Sequence, residues 1–394
     1  MPNSSSINFP PIKVIHSTPV WLPQTMTWLC NQVQYLPDDI ESHIVCEKTE
    51  NLDQFGVPNI NSLPELSLLS RFGESGLKGA KPLSRMFWLW RMCRRIKPEI
   101  VHSHFGNVGW FDSFVVRLTG ARHVVTFYGL DVNMVPKQDP RWLGRYKSIF
   151  ESADLFLCEG PHMAKCIKKL GCPPDKVKVQ HLGVEVDRIL YRPRRWQHGV
   201  PLLVLIAATF REKKGIPYAL EALAELQHIV SLDITIIGDS TPEPRSQNEK
   251  QKIHTILENS SLKAKTKLLG YQPYSIFLEE AYKNHIFISP SVTAADGDTE
   301  GGAPVSLIEM MATGMPVVST IHCDIPDVVQ YGMDDWLVAE RDVDALVNKL
   351  RWLIRNPQKW HSMLDKGRRH VENQYDAKKQ GVRLNRMYKG VAAR

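Results

Sequence analysis

The strongest constraint in this chain is a rhythm. Short β-rich apolar runs alternate with longer amphipathic stretches from end to end, which is how a parallel sheet with helical crossovers reads in sequence. The rhythm occurs twice. The first series predicts strands at 12–16, 43–47, 100–103, 123–127, 154–158 and 177–180; the second starts afresh at 202–207 and continues through 234–237, 267–269, 286–289, 316–319 and 336–338. Between them, residues 187–200 (DRILYRPRRWQHGV) are polar, basic and interrupted by proline, so the domain boundary is expected there. A length of 394 residues suits two α/β domains of roughly 150 to 200 residues each.

Several function classes fall away early. The opening MPNSSSINFPPIKVI has no basic segment followed by a long apolar run, and no later stretch holds about 18 uncharged apolar residues, so neither export nor membrane spanning is expected. The seven cysteines are scattered without a C-x-x-C pair, as expected of reduced thiols in a cytoplasmic protein and not of a zinc site. Neither G-x-G-x-x-G nor G-x-x-x-x-G-K-[ST] occurs, which disfavours a nicotinamide dehydrogenase or a P-loop ATPase.

Charge is divided unevenly. Residues 1–195 hold 25 Lys and Arg against 18 Asp and Glu, whereas the remainder holds 24 of each. A basic first half fits an anionic membrane surface, a phosphorylated substrate or nucleic acid, and equally an ordinary solvated face. The basic residues are dispersed and no nucleic-acid-binding motif is present, so nucleic acid is not expected as a partner. The helical stretch 84–96 (SRMFWLWRMCRRI) carries the same ambiguity. It reads as an interfacial membrane helix, or as a crossover helix with its aromatic side on the sheet and its arginines in water.

The densest chemistry lies in 289–326, SPSVTAADGDTEGGAPVSLIEMMATGMPVVSTIHCDIP. A strand ends at Ser289, and Pro304 is placed to open a helix that Gly314 stops. In parallel α/β sheets ligands sit at the carboxyl ends of strands, where helix N-termini offer free N–H groups to anions. Glu300, Gly301, Gly302 and Ala303 fall there, and Glu309 can accept hydrogen bonds from a diol such as ribose. In TFREKKG, Arg211, Lys213 and Lys214 follow a strand and precede a helix, a position that suits a diphosphate leaving group.

These segments resemble the family 4 retaining glycosyltransferases of the GT-B fold along nearly the whole chain. Glu300 and Glu309 are similar to the family's E-x7-E signature, ATGMPVV (312–318) to its A-x-G-x-P-V-V segment, TFREKKG to R-x4-K-G, and Ile325-Pro326-Asp327 to I-P-E. In the first half, VHSHFG (101–106) and TFYGLD (126–131) resemble H-x-H-F and T-F-H-G-x-D, and LGVEVDRILYRP resembles a hinge-proximal segment. DGDTEGGAPVSLIEMMATGMPVV is similar to enzymes of exopolysaccharide and colanic-acid-type assembly. The chain departs from the pattern in three places. Eight residues separate Glu300 from Glu309, Thr209 stands where the family's phosphate arginine falls, and Tyr128 replaces a histidine.

The resemblance implies two facing Rossmann-like domains, 1–195 and 196–375, with a cleft between them and a C-terminal helix, 376–394, crossing back to the first. It implies a metal-independent, retaining transfer with a nucleotide-diphosphate sugar as co-substrate and no other cofactor. Glu300, Arg211 and Lys214 would be catalytic, and Asp296-Gly297-Asp298 would be a turn and not a metal site. Glu309, Gly301, Gly302, Ala303, Gly238, Gly270 and Tyr271 would bind the donor. Thr25, His104, Tyr128 and Asp131 would bind a saccharide or polyprenyl-diphosphate-linked acceptor. The expected location is the cytoplasm, peripheral on the inner face of the membrane. A non-catalytic nucleotide-sugar binding subunit and a GT-B epimerase are the alternative readings.

Overall fold

A computed structural model of the protein describes residues 10–23, 26–53, 55–63, 81–333 and 336–394. The chain divides into two compact units, the first made of Met1–Glu159, Ala164–Gly183 and Ala377–Arg394, the second of Gly160–Met163 and Val184–Asp376.

The first unit holds a seven-stranded sheet: β1 (Ile12–Trp21), β2 (Ile40–Thr49), β3 (Ile60–Ser62), β4 (Ile100–His104), β5 (Arg122–Phe127), β6 (Leu155–Cys158) and β7 (Val177–Val179). Its order is β3-β2-β1-β4-β5-β6-β7, and every pairing is parallel. Alternation along the central strands supplies two apolar faces, as a sheet covered on both sides requires. On one face Ile15, Val45 and Val101 pack against Leu89, Met92, Cys93 and Ile96 of the helix Lys81–Ile96. That settles its role in the fold as a crossover helix. On the other face Val14, Ile100, Val124 and Leu157 pack against Leu384, Tyr388 and Val391 of the last helix, Ala377–Ala392. Gly381 is needed in that helix because a Cβ there would lie 1.9 Å from the Tyr35 carbonyl oxygen.

The second unit holds a five-stranded parallel sheet, β8 (Leu202–Ala207), β9 (Leu232–Ile237), β10 (Thr266–Leu268), β11 (Ile286–Ser289) and β12 (Val317–Ser319), in the order β10-β9-β8-β11-β12. Residues 187–200, expected as the connection, belong to this unit. The buried Arg194 guanidinium donates to the carbonyls of Ala281, Asn284 and Thr313 and stitches the segment into the core.

Two local expectations are corrected and a third is met. β1 runs on past the expected 12–16 to Trp21, because Thr18, Val20 and Trp21 stay in register with Cys46, Lys48 and Thr49. Residues 336–338 form no strand; Val338 makes only an isolated bridge to Thr320. The helix after Pro304 spans Val305–Thr313, with the proline at the cap and Gly314 ending it in a left-handed conformation, φ 80°.

Candidate functional site

At the carboxyl ends of β8 and β11 the second unit gathers the glutamates and lysines of its motifs. After β8 a short turn, Glu212–Lys214, ends at Gly215 with φ 63°. Only glycine fits there, since a Cβ would lie 1.9 Å from the Pro290 carbonyl oxygen. This close approach brings the two loops together. Lys214 Nζ lies 2.7 Å from Glu300 Oε2, and Ser291 Oγ donates to Glu300 Oε1 at 2.8 Å. Burial pushes the Glu300 carboxyl up, but Lys214 and Lys213 outweigh it and hold the group below the usual range. Glu300 is therefore an ionised carboxylate gripped from two sides.

Its backbone is gripped as well. The Glu300 N–H donates to His322 Nε2 at 3.1 Å, and His322 Nδ1 lies 2.7 Å from Glu340 Oε1. The first bond makes Nε2 an acceptor, so Nδ1 carries the proton and donates to Glu340. Gly301 follows with φ 80°, and its N–H donates to Thr299 Oγ1 at 3.2 Å; the Gly302 carbonyl accepts from the Asp324 N–H. Gly301 and Gly302 are buried and Ala303 is half-buried.

Arg211 is placed differently from Lys214. Its guanidinium pairs with Glu243 at 2.8 Å and approaches the buried Asp298, which also takes Lys213 at 3.1 Å and Arg245 at 3.6 Å. Arg211, Lys213, Arg245, Asp296 and Asp298 line a cavity of about 140 Å³ that Lys214, Glu300 and Glu309 do not line. The expected joint action of Arg211 and Lys214 is thus not what the structure brings together. Asp296-Gly297-Asp298 forms a turn closed by the Asp298 N–H on Asp296 Oδ1, and its carboxylates are occupied by cationic side chains.

Glu309 sits in the helix Val305–Thr313, 8% exposed, and accepts from the Tyr274 hydroxyl. Burial pushes its carboxyl up to about 7, against the lowering effect of Tyr274. Gly238 and Gly270 form an antiparallel bridge at the ends of β9 and β10, and Tyr271 donates to the Asp239 carbonyl at 2.8 Å. Those three expected donor residues share one corner.

The first unit assembles its motif residues into a sealed network. His104 Nδ1 lies 2.7 Å from the Tyr128 hydroxyl and His104 Nε2 lies 3.2 Å from His16 Nδ1. His102 bridges Tyr388 and Thr126, each at 2.6 Å. All three histidines are wholly buried, and burial drives their pKa values down, that of His16 to about 3, so they are neutral. His16, His102 and His104 also form the one cluster among the described residues with metal-ligand spacing, but the ring nitrogens of His102 and His104 are all satisfied within the network. Asp131 is corrected from a ligand contact to a bracket: wholly buried, it accepts from the Gly106 N–H at 2.6 Å and the Tyr128 N–H at 3.0 Å. Tyr128, 7% exposed and packed against Trp28 and Phe105, is the member nearest solvent. Thr25 lies outside the described residues.

Comparison with known proteins follows these lines. A family model described as Glycosyltransferase Family 4 matches residues 27–188, and one described as Glycosyl transferases group 1 matches residues 193–370. The chain belongs to this glycosyltransferase family. It is 32% identical over 277 residues to the putative colanic acid biosynthesis glycosyltransferase WcaL of Salmonella typhimurium, covering 68% of this chain and 65% of that protein. It is 31% identical over 256 residues to the amylovoran biosynthesis glycosyltransferase AmsK of Erwinia amylovora, covering 63% and 59%. The chain thus spans less than two thirds of the length of either of these two curated relatives. Among solved structures, Anabaena HepE in complex with UDP and glucose has a TM-score of 0.76 at 12% identity, over 96% of this chain and 100% of that one, which shows the GT-B fold.

In this member of the glycosyltransferase family, motif reading found Lys214, Glu300 and Glu309 but missed their supports. Ser291, His322 and Glu340 hold Glu300, Tyr274 holds Glu309, and His16 and Tyr388 complete the histidine network. Of these, Ser291 and His322 had a local signal, lying inside the conspicuous 289–326 segment.

Proposed function

We propose that the protein transfers a sugar from a nucleotide-diphosphate sugar to a hydroxyl of a saccharide acceptor, with retention at the anomeric carbon and without a metal, in polysaccharide assembly. The Lys214–Glu300 pair supports this reading most. A buried carboxylate and a cation 2.7 Å apart, beside two glycines and a helix N-terminus, can hold a sugar and its departing diphosphate together. In the proposed step the bond from the anomeric carbon to the β-phosphate oxygen breaks while the acceptor oxygen bonds to the same face. The acceptor proton passes to the departing diphosphate, so no strong protein base is required. Lys214 would neutralise the charge gained by the leaving group, Glu300 would hold sugar hydroxyls, and Glu309 would take the ribose diol.

The name of an Escherichia coli relative 21% identical over 286 residues, UDP-Gal:alpha-D-GlcNAc-diphosphoundecaprenol alpha-1,3-galactosyltransferase, supports a saccharide acceptor carried on a polyprenyl diphosphate. We assign acceptor recognition to the first unit, with Tyr128 as its contact and His104 acting through Tyr128. Seven free thiols support a reducing, cytoplasmic location. The test is turnover of UDP-, GDP-, ADP- and TDP-sugars in the presence of a chelator, with Glu300→Gln alongside. One series should be consumed by the wild type and spared by the variant. Consumption that needs a divalent metal, or that survives Glu300→Gln unchanged, would overturn the proposal.

A further inference from the structure

We infer that Asp324 is a positioning residue of the transfer step, anchored through its carboxylate and holding the Glu300–Gly302 loop through its backbone. This rests on the sugar-transfer reading, and it gives Asp324 no contact with the reacting atoms. Asp324 stands at the N-cap position of the short helix Ile325–Val328, where an aspartate ordinarily accepts from the first-turn N–H groups of its own helix. Its side chain makes no such bond. The carboxylate takes instead the His162 N–H at 2.6 Å and the Met163 N–H at 3.3 Å, both in the first turn of the helix Pro161–Lys169. That first turn belongs to the same unit as Asp324. Pro161 has no N–H to offer, so His162 and Met163 are the first donors of that helix. The positive end of the helix dipole favours an ionised carboxylate there, and with Asp324 only 4% exposed the attraction is little screened.

The space for this carboxylate is made by a missing side chain. Gly160 is buried and lies outside the left-handed region, so its backbone would suit any residue. A Cβ there would nevertheless lie 2.3 Å from the Asp324 Cγ and 2.5 Å and 2.7 Å from its two carboxylate oxygens. Space alone requires this glycine, and the atoms that require it are those of Asp324.

The backbone of Asp324 faces the other way. Its N–H donates to the Gly302 carbonyl at 3.2 Å, while two residues earlier His322 Nε2 takes the Glu300 N–H at 3.1 Å. The stretch 322–324 therefore holds both ends of Glu300–Gly302. Cys323, between the two holding residues, has φ 47°, a left-handed conformation that a non-glycine residue keeps only where its neighbours fix it. Lys214 and Ser291 act on the Glu300 carboxylate and Thr299 on the Gly301 N–H, but none of them acts on Gly302. Because a trans peptide is planar, fixing the Gly302 carbonyl also fixes the opposite direction of the Ala303 N–H. That group lies just before the helix Val305–Thr313, whose N-terminus the transfer reading sets against the departing diphosphate. A carboxylate anchored in one helix thus aims the backbone that leads into another.

The test is a double-variant cycle in the full chain: Asp324→Ala, Gly160→Ala and the two together, with Asp324→Asn as the milder change. It is read by turnover of the nucleotide sugar that the wild type uses and by hydrogen exchange of the amides in 299–303 and 322–324. Gly160→Ala displaces the carboxylate and Asp324→Ala removes it, so each should lower kcat about tenfold with donor KM held, as a displaced positioning group does. Each should also speed exchange of the Glu300, Gly301 and Asp324 amides about tenfold. Once the carboxylate is gone the added methyl has nothing to push, so the double variant should be no slower than Asp324→Ala. Asp324→Asn still accepts one of the two bonds and should fall between wild type and Asp324→Ala. Unchanged kcat and exchange in the single variants, a loss confined to KM, or effects that multiply to about a hundredfold in the double variant would overturn the inference. A wild type that turns over no nucleotide sugar would overturn the transfer reading instead, and the exchange rates would then decide whether Asp324 holds the loop.

Discussion

The two units treat their motif residues in opposite ways. In the second, Lys214, Glu300 and Asp298 are charged, and opposite charges compensate their burial. In the first, His16, His102 and His104 are stripped of charge by burial, and hydroxyls and one another partner every ring nitrogen except His16 Nε2. A compensated charge near a helix N-terminus is poised to answer a charged ligand. A sealed neutral network instead sets where the group nearest solvent, Tyr128, will stand. Motif residues of similar prominence in sequence can therefore be ligand contacts in one half and framework in the other.

The largest expected effect tests the charged half. Lys214→Met should lower kcat by roughly 10²–10³, as loss of one leaving-group contact does, and leave donor KM much less changed. A loss confined to KM would move Lys214 from the reacting bond to simple binding.

Acid should then separate the units. His16 titrates near 3 and His123 near 4 in the fold, against 6.5 when unfolded, so the unfolded chain takes up protons first and this stability is lost as pH falls below about 6.5. Asp131, raised to about 6, works the other way between about 4 and 6, but as one group against four buried histidines. Glu309, raised from 4.5 to about 7, likewise costs the second unit stability as pH rises through that range. Hydrogen exchange corrected for intrinsic rates should show β1 and β4 losing protection between pH 6.5 and about 4 while the helix Val305–Thr313 gains it. Loss at both places together would erase the contrast.

His104→Gln should cost about 1–3 kcal/mol in urea unfolding, because buried partners lose their bonds. A variant that keeps its stability and loses activity would make His104 a ligand contact after all. Glu340→Gln acts through His322 on the Glu300 backbone, and a fall in kcat of about tenfold with KM held is expected of a displaced positioning group. Glu340→Ala should be worse, since glutamine can still accept from His322.

The fold was legible because eleven of the twelve expected runs became strands, and the central ones such as Leu155–Cys158 and Ile286–Ser289 are short, apolar and buried, so nothing competes with a strand there. The edge strand Ile60–Ser62 was missed because its residues are half-exposed and carry no apolar alternation. The opposite error at 336–338 has the same root: Trp336 and Val338 are buried by packing, with no ladder to join. In the site, local spacing revealed Glu300 and Lys214 but not that Arg211 turns to Glu243 and Asp298. Nor does any spacing link Glu340 to Glu300, since that link runs through His322 and a backbone N–H. Side-chain type predicts chemistry, whereas partner choice is decided by which loops a residue such as Gly215 allows to approach.

The most direct measurement is thermal stabilisation by UDP, GDP, ADP and TDP and their sugars, in chelator, for the wild type and Glu309→Gln. One nucleotide series at a hundred times its dissociation constant should stabilise the wild type by about 2.7 kcal/mol, and Glu309→Gln should lose most of that shift while keeping its fold. If no series stabilises the wild type, or if the variant is stabilised equally, the second unit is not a nucleotide-sugar site built on Glu309.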